Sequence, residues 1–190
     1  IRDVAPSRGL GDVYKRQDPV RFIGNYSSGK MGYAIARICS FRGADVTLVS
    51  GRTNLPGPLF VKTVEVTTAR EMYEVVAAAF PDQDIVIKAA AVADYRPKQV
   101  SSEKVKKSGE MFVLEMERTD DILKYLGEQK RSDQFLCGFS METEHMLRNS
   151  RAKLAKKNLD MIAANNVKVA GAGFQVDTNQ LTLITKDHLE

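Results

Sequence analysis

Apolar positions along the chain switch between two spacings. Ala34, Ile35, Ile38, Cys39 and Phe41 recur at helical intervals and predict a helix over roughly Met31 to Arg42. Asp45 to Ser50 then reads as a strand, and a Pro/Gly loop at Asn54 to Pro58 separates it from a second strand over Val61 to Val66. Ala69 to Ala79 has helical spacing again. Asp84-Ile85-Val86-Ile87 opens a near-continuous apolar run of the kind shown by a parallel strand covered on both faces, and predicts a strand over Ile85 to Ala89. Tyr95 to Glu117 follows neither period, although Met111 to Met116 reads as extended, so this stretch is expected to leave the body of the domain as an arm or flap. A helix over Asp121 to Gln129, a strand over Phe135 to Phe139, a helix over Glu144 to Lys157, a strand over Met161 to Ala164 and a terminal hairpin through Leu181 to Thr185 complete the reading. Alternation of this kind implies an α/β domain with a doubly wound, mostly parallel sheet.

Chemistry concentrates where predicted elements meet. In Gly24-Asn25-Tyr26-Ser27-Ser28-Gly29-Lys30-Met31-Gly32 the glycines allow a tight turn and close approach of backbone to a ligand, and the serines add hydroxyl donors. A loop that opens a helix presents N–H groups and the positive end of the helix dipole, which suits a phosphate; a plain helix cap is the alternative. Known phosphate motifs fit only in part. The P-loop spacing from Gly24 to Lys30 ends in Met31 where a magnesium-binding hydroxyl belongs, and the dinucleotide fingerprint lacks its first glycine and its ribose-binding acid after Ser50-Gly51-Arg52. Arg52 is left as a candidate for a ribose phosphate. The Tyr26-x-x-x-Lys30 spacing of a reductase class falls in a turn and reads as coincidence.

A second cluster, Ala89-Ala90-Ala91-Val92-Ala93-Asp94-Tyr95-Arg96-Pro97, follows the strand ending near Ala89. Small residues there leave room for a ligand beyond the strand end, and Asp94 would point a carboxylate into that crevice or cap the next element. In Glu103-Lys104-Val105-Lys106-Lys107, alternation places Lys104 and Lys106 on one side, either as a solvated face or as a reach toward bound phosphate.

These residues together resemble phosphopantothenoylcysteine synthetase: Asp18-Pro19-Val20-Arg21, Asn25-x-Ser27-Ser28-Gly29-x-x-Gly32, Ala90 to Tyr95 and Glu103 to Lys107. Cys137-Gly138-Phe139-Ser140-Met141-Glu142-Thr143, Lys153 to Asp160, Ala164-Asn165, and Gly173-Phe174 through Asp177-x-Asn179 agree in order. The resemblance implies a Rossmann-like homodimer with a dimerisation arm after Asp94, acting in the cytoplasm in coenzyme A biosynthesis. It implies a ligase that joins phosphopantothenate to L-cysteine through an acyl cytidylate, using CTP with magnesium and releasing pyrophosphate and CMP. Asn25 matches the family asparagine beside the acyl phosphate, and Lys104 the lysine that contacts CTP, both as catalytic candidates. Ser27, Gly29, Gly32, Asp94, Asp121, Ile122, Phe139, Lys153, Lys157 and Asn165 match nucleotide positions; Ala90, Ala91 and Asp94 match acyl-substrate positions. A flavin-dependent decarboxylase, with FMN, is implied only if such a domain precedes this one or associates with it. Metal ligands are not indicated.

The chain also departs from that family. Residues 1–17 show neither an apolar strand nor the Gly-rich threonine turn that opens family members, and 9–17 reads as a sequence-assembly scar. The synthetase domain is therefore expected over 18–190, incomplete at both ends, with a central strand missing. The family's Asn-Pro-Asp-Ile turn is Thr119-Asp120-Asp121-Ile122 here, and a closing helix after Lys186 is absent.

Composition narrows the alternatives. At 190 residues the chain can bury one sizeable core, and no apolar run approaches a membrane span. Half of the formal charge of +4 comes from residues 1–17, and no basic stripe interleaved with aromatics occurs, which argues against nucleic acid. Cys39 and Cys137 read as reduced buried thiols, while His145 and His188 stand alone. An NAD(P)-dependent oxidoreductase and a non-catalytic dimeric binding or regulatory module are the rival readings, and CTP against ATP stays open.

Overall fold

A computed structural model describes residues 2–4, 15–18, 20, 22–23, 27–90, 92, 94–106, 109, 112–142, 144–166 and 178–188. Seven strands form the main sheet: β1 (Arg2–Val4), β4 (Asp45–Ser50), β5 (Val61–Glu65), β6 (Ile85–Lys88), β9 (Phe135–Glu142), β10 (Met161–Asn166) and β11 (Leu181–Thr185). Their order is β11-β10-β9-β6-β1-β4-β5, parallel throughout except for the antiparallel β10–β11 pair at one edge. Two short antiparallel pairs stand apart from it, β2 (Lys15–Arg16) with β3 (Phe22–Ile23) and β7 (Tyr95–Pro97) with β8 (Met116–Arg118).

Helices α1 (Lys30–Phe41), α2 (Ala69–Ala79), α3 (Ile122–Gln129) and α4 (Met146–Lys156) make the connections, with a 3₁₀ turn over Phe80–Asp82. Successive side chains of a strand point to opposite faces, so burial of both Leu48 and Val49 means that β4 is covered on both sides. Val46 and Leu48 pack with Tyr33 and Ala36 of α1; Val49 joins Met72 and Val76 of α2 and Leu123 and Leu126 of α3 in the larger core. The Rossmann-like, doubly wound architecture thus follows from apolar runs that need cover on two faces.

The expectation that residues 1–17 supply no strand is corrected: Arg2–Val4 lies at the centre of the sheet, with Arg2 opposite Asp45 and Asp3 opposite both Val46 and Ile85. Three residues with an acid in the middle carry no apolar period. What places them is backbone, because β4 and β6 each leave a row of N–H and C=O groups that a parallel strand between them satisfies.

The stretch Tyr95 to Glu117 contributes the strands of the β7–β8 ribbon, closed by an Arg96–Glu117 ion pair at 2.7 Å and by the Lys98 N–H donating to the Glu115 carbonyl at 3.0 Å. Val100, Phe112 and Val113, in the connection between the two strands, are exposed. No described helix is long and apolar enough to cross a membrane.

Candidate functional site

From β1 the chain order runs outward through β4 and β5, then returns to β6 and continues the other way through β9 and β10. The strand order therefore reverses between β1 and β6, which is where an open α/β sheet leaves a crevice at its carboxyl ends. A cleft of about 1600 Å³ lies there. Its wall takes in Ser27 to Gly32, the ends of β6, β9 and β10, and the start of α3.

Gly29 sets the first wall. It caps α1 with φ of 77°, in the left-handed region that glycine enters without a Cβ penalty. The adjoining turn thereby brings Ser27, Ser28 and the helix N-terminus to the cleft. Lys30, Lys88, Lys153, Lys156 and Lys157 line the same space against three carboxylates, Asp94, Asp120 and Asp121, an excess that suits a polyanion.

Several of these side chains are held in place. The Lys88 ammonium donates to the Ala90 carbonyl at 3.0 Å, and that of Lys153 to the Phe139 carbonyl at 2.9 Å. Asp121 caps α3 by accepting from the Lys124 N–H at 3.1 Å, and pairs with Lys157 at 2.8 Å. Burial alone would raise the Asp121 carboxyl, but the Lys157 ammonium, the Lys124 amide and the charge of Lys88 outweigh it and hold the group below the usual carboxylate range. Asn165, 8% exposed on the cleft wall, has a buried Oδ1 with no hydrogen-bond partner among the described residues. A buried acceptor left in that state is costly unless a ligand satisfies it. At the end of β4 the Tyr33 hydroxyl lies 3.3 Å from Ser50 Oγ, which donates to the Gly51 carbonyl at 2.7 Å.

Of the residues expected from sequence, Ser27, Gly29, Gly32, Ala90, Asp94, Asp121, Ile122, Phe139, Lys153, Lys157 and Asn165 all line this one cleft. Lys104 does not: it is exposed on a loop whose next residue, Val105, donates its N–H to Asp18 Oδ2 at 3.2 Å. Asn25 and Ala91 lie outside the described residues, as do Arg21, Tyr26, Lys107, Gly173, Phe174 and Asp177 of the matched motifs. Sequence reasoning missed Lys88, Arg118 and Lys156 on the wall. Lys88 alone had a signal, as the charge that abuts the apolar run of β6.

Fold and cleft define a Rossmann-like α/β domain with a lysine-rich crevice at its strand ends. The chain belongs to the DNA/pantothenate metabolism flavoprotein C-terminal domain family, whose model matches residues 9–190. It is 49% identical over 178 residues to the coenzyme A biosynthesis bifunctional protein CoaBC of Bacillus subtilis (strain 168), covering 93% of this chain and 44% of that protein. It is 47% identical over 179 residues to a cysteine/cysteine sulfinic acid decarboxylase from an unknown prokaryotic organism, covering 94% and 50%. The chain thus spans about half the length of the curated relatives it matches. Among solved structures, the C-terminal domain of a bifunctional CoaBC superposes with a TM-score of 0.82 at 44% identity, covering 100% of this chain and 84% of that one. A Cab2 mutant, H337A, in complex with phosphopantothenate-cysteine shares the fold with a TM-score of 0.80 at 15% identity, covering 97% and 76%.

Proposed function

We propose that this chain is the phosphopantothenate–cysteine ligase portion of a coenzyme A biosynthesis protein. The observation that carries the reading is the convergence, at the switch point of the sheet, of a glycine-capped helix N-terminus, a set of lysines and the unsatisfied acceptor of Asn165. The relative at 49% identity is named for coenzyme A biosynthesis, and the activity is carried to this chain on that likeness.

In the first half-reaction, a carboxylate oxygen of phosphopantothenate attacks the α-phosphorus of CTP; the bond to the β-phosphate oxygen breaks, and pyrophosphate leaves from an acyl cytidylate. The α1 N-terminus, Lys153 and Lys157 are suited to hold the triphosphate in line, since phosphoryl transfer depends chiefly on positioning and electrostatics. In the second, the amine of L-cysteine attacks the acyl carbon, loses a proton, and CMP departs. Asn25 supplies the amide donor for the developing oxyanion, and Ala90, Ala91 and Asp94 border the acyl substrate.

Magnesium belongs to this reading. Among the described residues, no group of three or more His, Cys, Asp or Glu side chains could hold a metal. Exposed carboxylates of Asp94 and Asp120 on the wall fit a hard cation that takes most of its ligands from phosphate and water. When bound there, the ion supplies neutralisation of triphosphate charge. A cytoplasmic homodimer formed through the β7–β8 arm, and a flavin-dependent decarboxylase with FMN in the remaining half of the full-length protein, complete the proposal.

A dinucleotide site is the poorer reading, because Ser50 stands where the ribose-binding acid would be and is engaged with Tyr33. The test is a phosphorus NMR time course with magnesium, CTP and phosphopantothenate, to which cysteine is added midway. Pyrophosphate and an acyl-cytidylate resonance before cysteine, then CMP after it, are expected. Intact CTP throughout would reject the reading.

A further inference from the structure

We propose that Asp18 is a positioning residue for Lys104, setting where that ammonium, exposed outside the cleft lining, can reach; the inference rests on the proposed function and on the match of Lys104 to the family lysine that contacts CTP. Asp18 is 1% exposed, an unusual depth for a carboxylate. Its two oxygens are divided between two segments. Oδ1 accepts from the Val20 N–H at 2.8 Å, and Oδ2 accepts at 3.2 Å from the N–H of Val105, 87 positions away and next to Lys104.

A second tie runs beside the first, since the Ser101 N–H donates to the Gln17 carbonyl at 3.0 Å. Between the two ties the loop is braced from within: Ser101 Oγ donates to the Glu103 carbonyl at 2.6 Å and accepts from the Glu103 N–H at 3.3 Å. Ser101 and Val105 are therefore fastened to Gln17 and Asp18, while Lys104 between them is exposed. Asp18 thus holds the loop that carries the lysine through the amide next to it.

The chemistry requires an aspartate. Two backbone donors need two acceptor oxygens, and a buried carboxylate is tolerated only when such donors satisfy it. Asparagine offers one oxygen and would turn an NH₂ group toward one of the amides.

The test uses the whole chain and its Asp18→Asn, Val105→Pro and Lys104→Ala variants, with amide hydrogen exchange read at Val105 and binding of Mg·CTP measured by titration. In Asp18→Asn the Val105 amide is expected to exchange about tenfold faster while Leu136 in β9 keeps its rate, as loss of one charge-assisted hydrogen bond requires. Mg·CTP affinity is expected to fall about fivefold to tenfold in Asp18→Asn and in Val105→Pro, which removes the donor without touching Asp18. Combined with Lys104→Ala, Asp18→Asn should cause no further loss. Unchanged Val105 exchange would overturn the tether. Equal losses with and without Lys104 would overturn the positioning role, as would full affinity in Val105→Pro. If the unaltered chain bound no Mg·CTP, the function reading would fail instead, and the exchange measurement would still decide whether the tether exists.

Discussion

The ammonium of Lys157 lies 2.8 Å from Oδ2 and 3.0 Å from Oδ1 of Asp121, joining the residue that follows α4 to the residue that caps the start of α3. Asp121 does two separable things: it accepts from the Lys124 N–H as a helix cap, and it pairs with a cation. Asparagine keeps the first and removes the second, whereas alanine removes both. Asp121→Asn is expected to cost only a few tenths of a kcal/mol at neutral pH, because the pair is partly exposed, and Asp121→Ala about 1 to 2 kcal/mol through the lost cap. The carboxyl is held below its ordinary value of 3.8, so its contribution is present above that pH and is lost as pH falls through the folded-state value. Urea denaturation of the chain and of Asp121→Asn should give a stability difference that is constant from neutral pH down to the carboxylate range and shrinks below it. A difference that grew on acidification would contradict the assignment.

Asn165 separates stability from binding. Its buried Oδ1 meets no partner among the described residues, so the fold carries a cost that a ligand donor would relieve. Asn165→Leu, similar in volume and without the polar atoms, is expected to leave thermal stability unchanged or raised by about 1 kcal/mol, while Mg·CTP affinity falls by about tenfold or more. Thermal melts with and without nucleotide check both halves. Parallel losses of stability and affinity would mean that Asn165 serves the fold.

The strand Asp45–Ser50 and the helix Ala69–Ala79 were legible residue for residue, because each combines a clear apolar period with sharp ends: Gly43 before the strand, and the Thr68 hydroxyl accepting from the Glu71 N–H at the helix start. Less was legible where tertiary partners decide. β9 extends to Glu142, three residues past the expected end at Phe139, since β10 pairs with it through Asn166. β1 was invisible for the same reason. Most of the expected site residues meet at the cleft because the loops that carry them leave adjacent strand ends, which element order alone implies. The Asp121–Lys157 pairing spans 36 positions and the Asp18–Val105 bond 87, and no local spacing encodes either.

Gly127 marks the closest approach of α3 to the end of α4. A Cβ built there would overlap the Lys157 carbonyl oxygen and meet Asn158, which sits at φ of 48° and donates through Nδ2 to the Gly127 carbonyl at 3.0 Å. In an open helix, replacing glycine by alanine would stabilise by about 1 kcal/mol. Here the obstacle is backbone, which cannot rotate away, so Gly127→Ala is expected to destabilise by about 3 kcal/mol in urea unfolding. The displaced Lys157 should also loosen its hold on Asp121. Neutral or increased stability would show that the two helix ends lie further apart.

Cys137 lies on β9, 5% exposed, and burial pushes its thiol up to about 12, with Asp160 adding to the rise and the Ala163 backbone opposing it. At pH 8 the folded protein therefore holds about one thiolate in 10⁴ at this position, and a thiol reagent has little to attack even before access is considered. Cys39 is only partly buried. Titration of the native chain with a chromogenic disulfide should show one prompt thiol and one that reacts at the rate of unfolding, and Cys39→Ser should abolish the prompt phase. The same shift links to stability with a definite sign. Its folded value exceeds the unfolded 9.0, so its contribution is complete below pH 9 and is lost as pH rises toward 12. Across that window the chain should lose up to about 1.4 kcal/mol per pH unit more than Cys137→Ala, whose remaining titrating groups are the same. Parallel alkaline stability curves for the two proteins would sink the prediction, because they would mean that the thiol ionises as readily folded as unfolded.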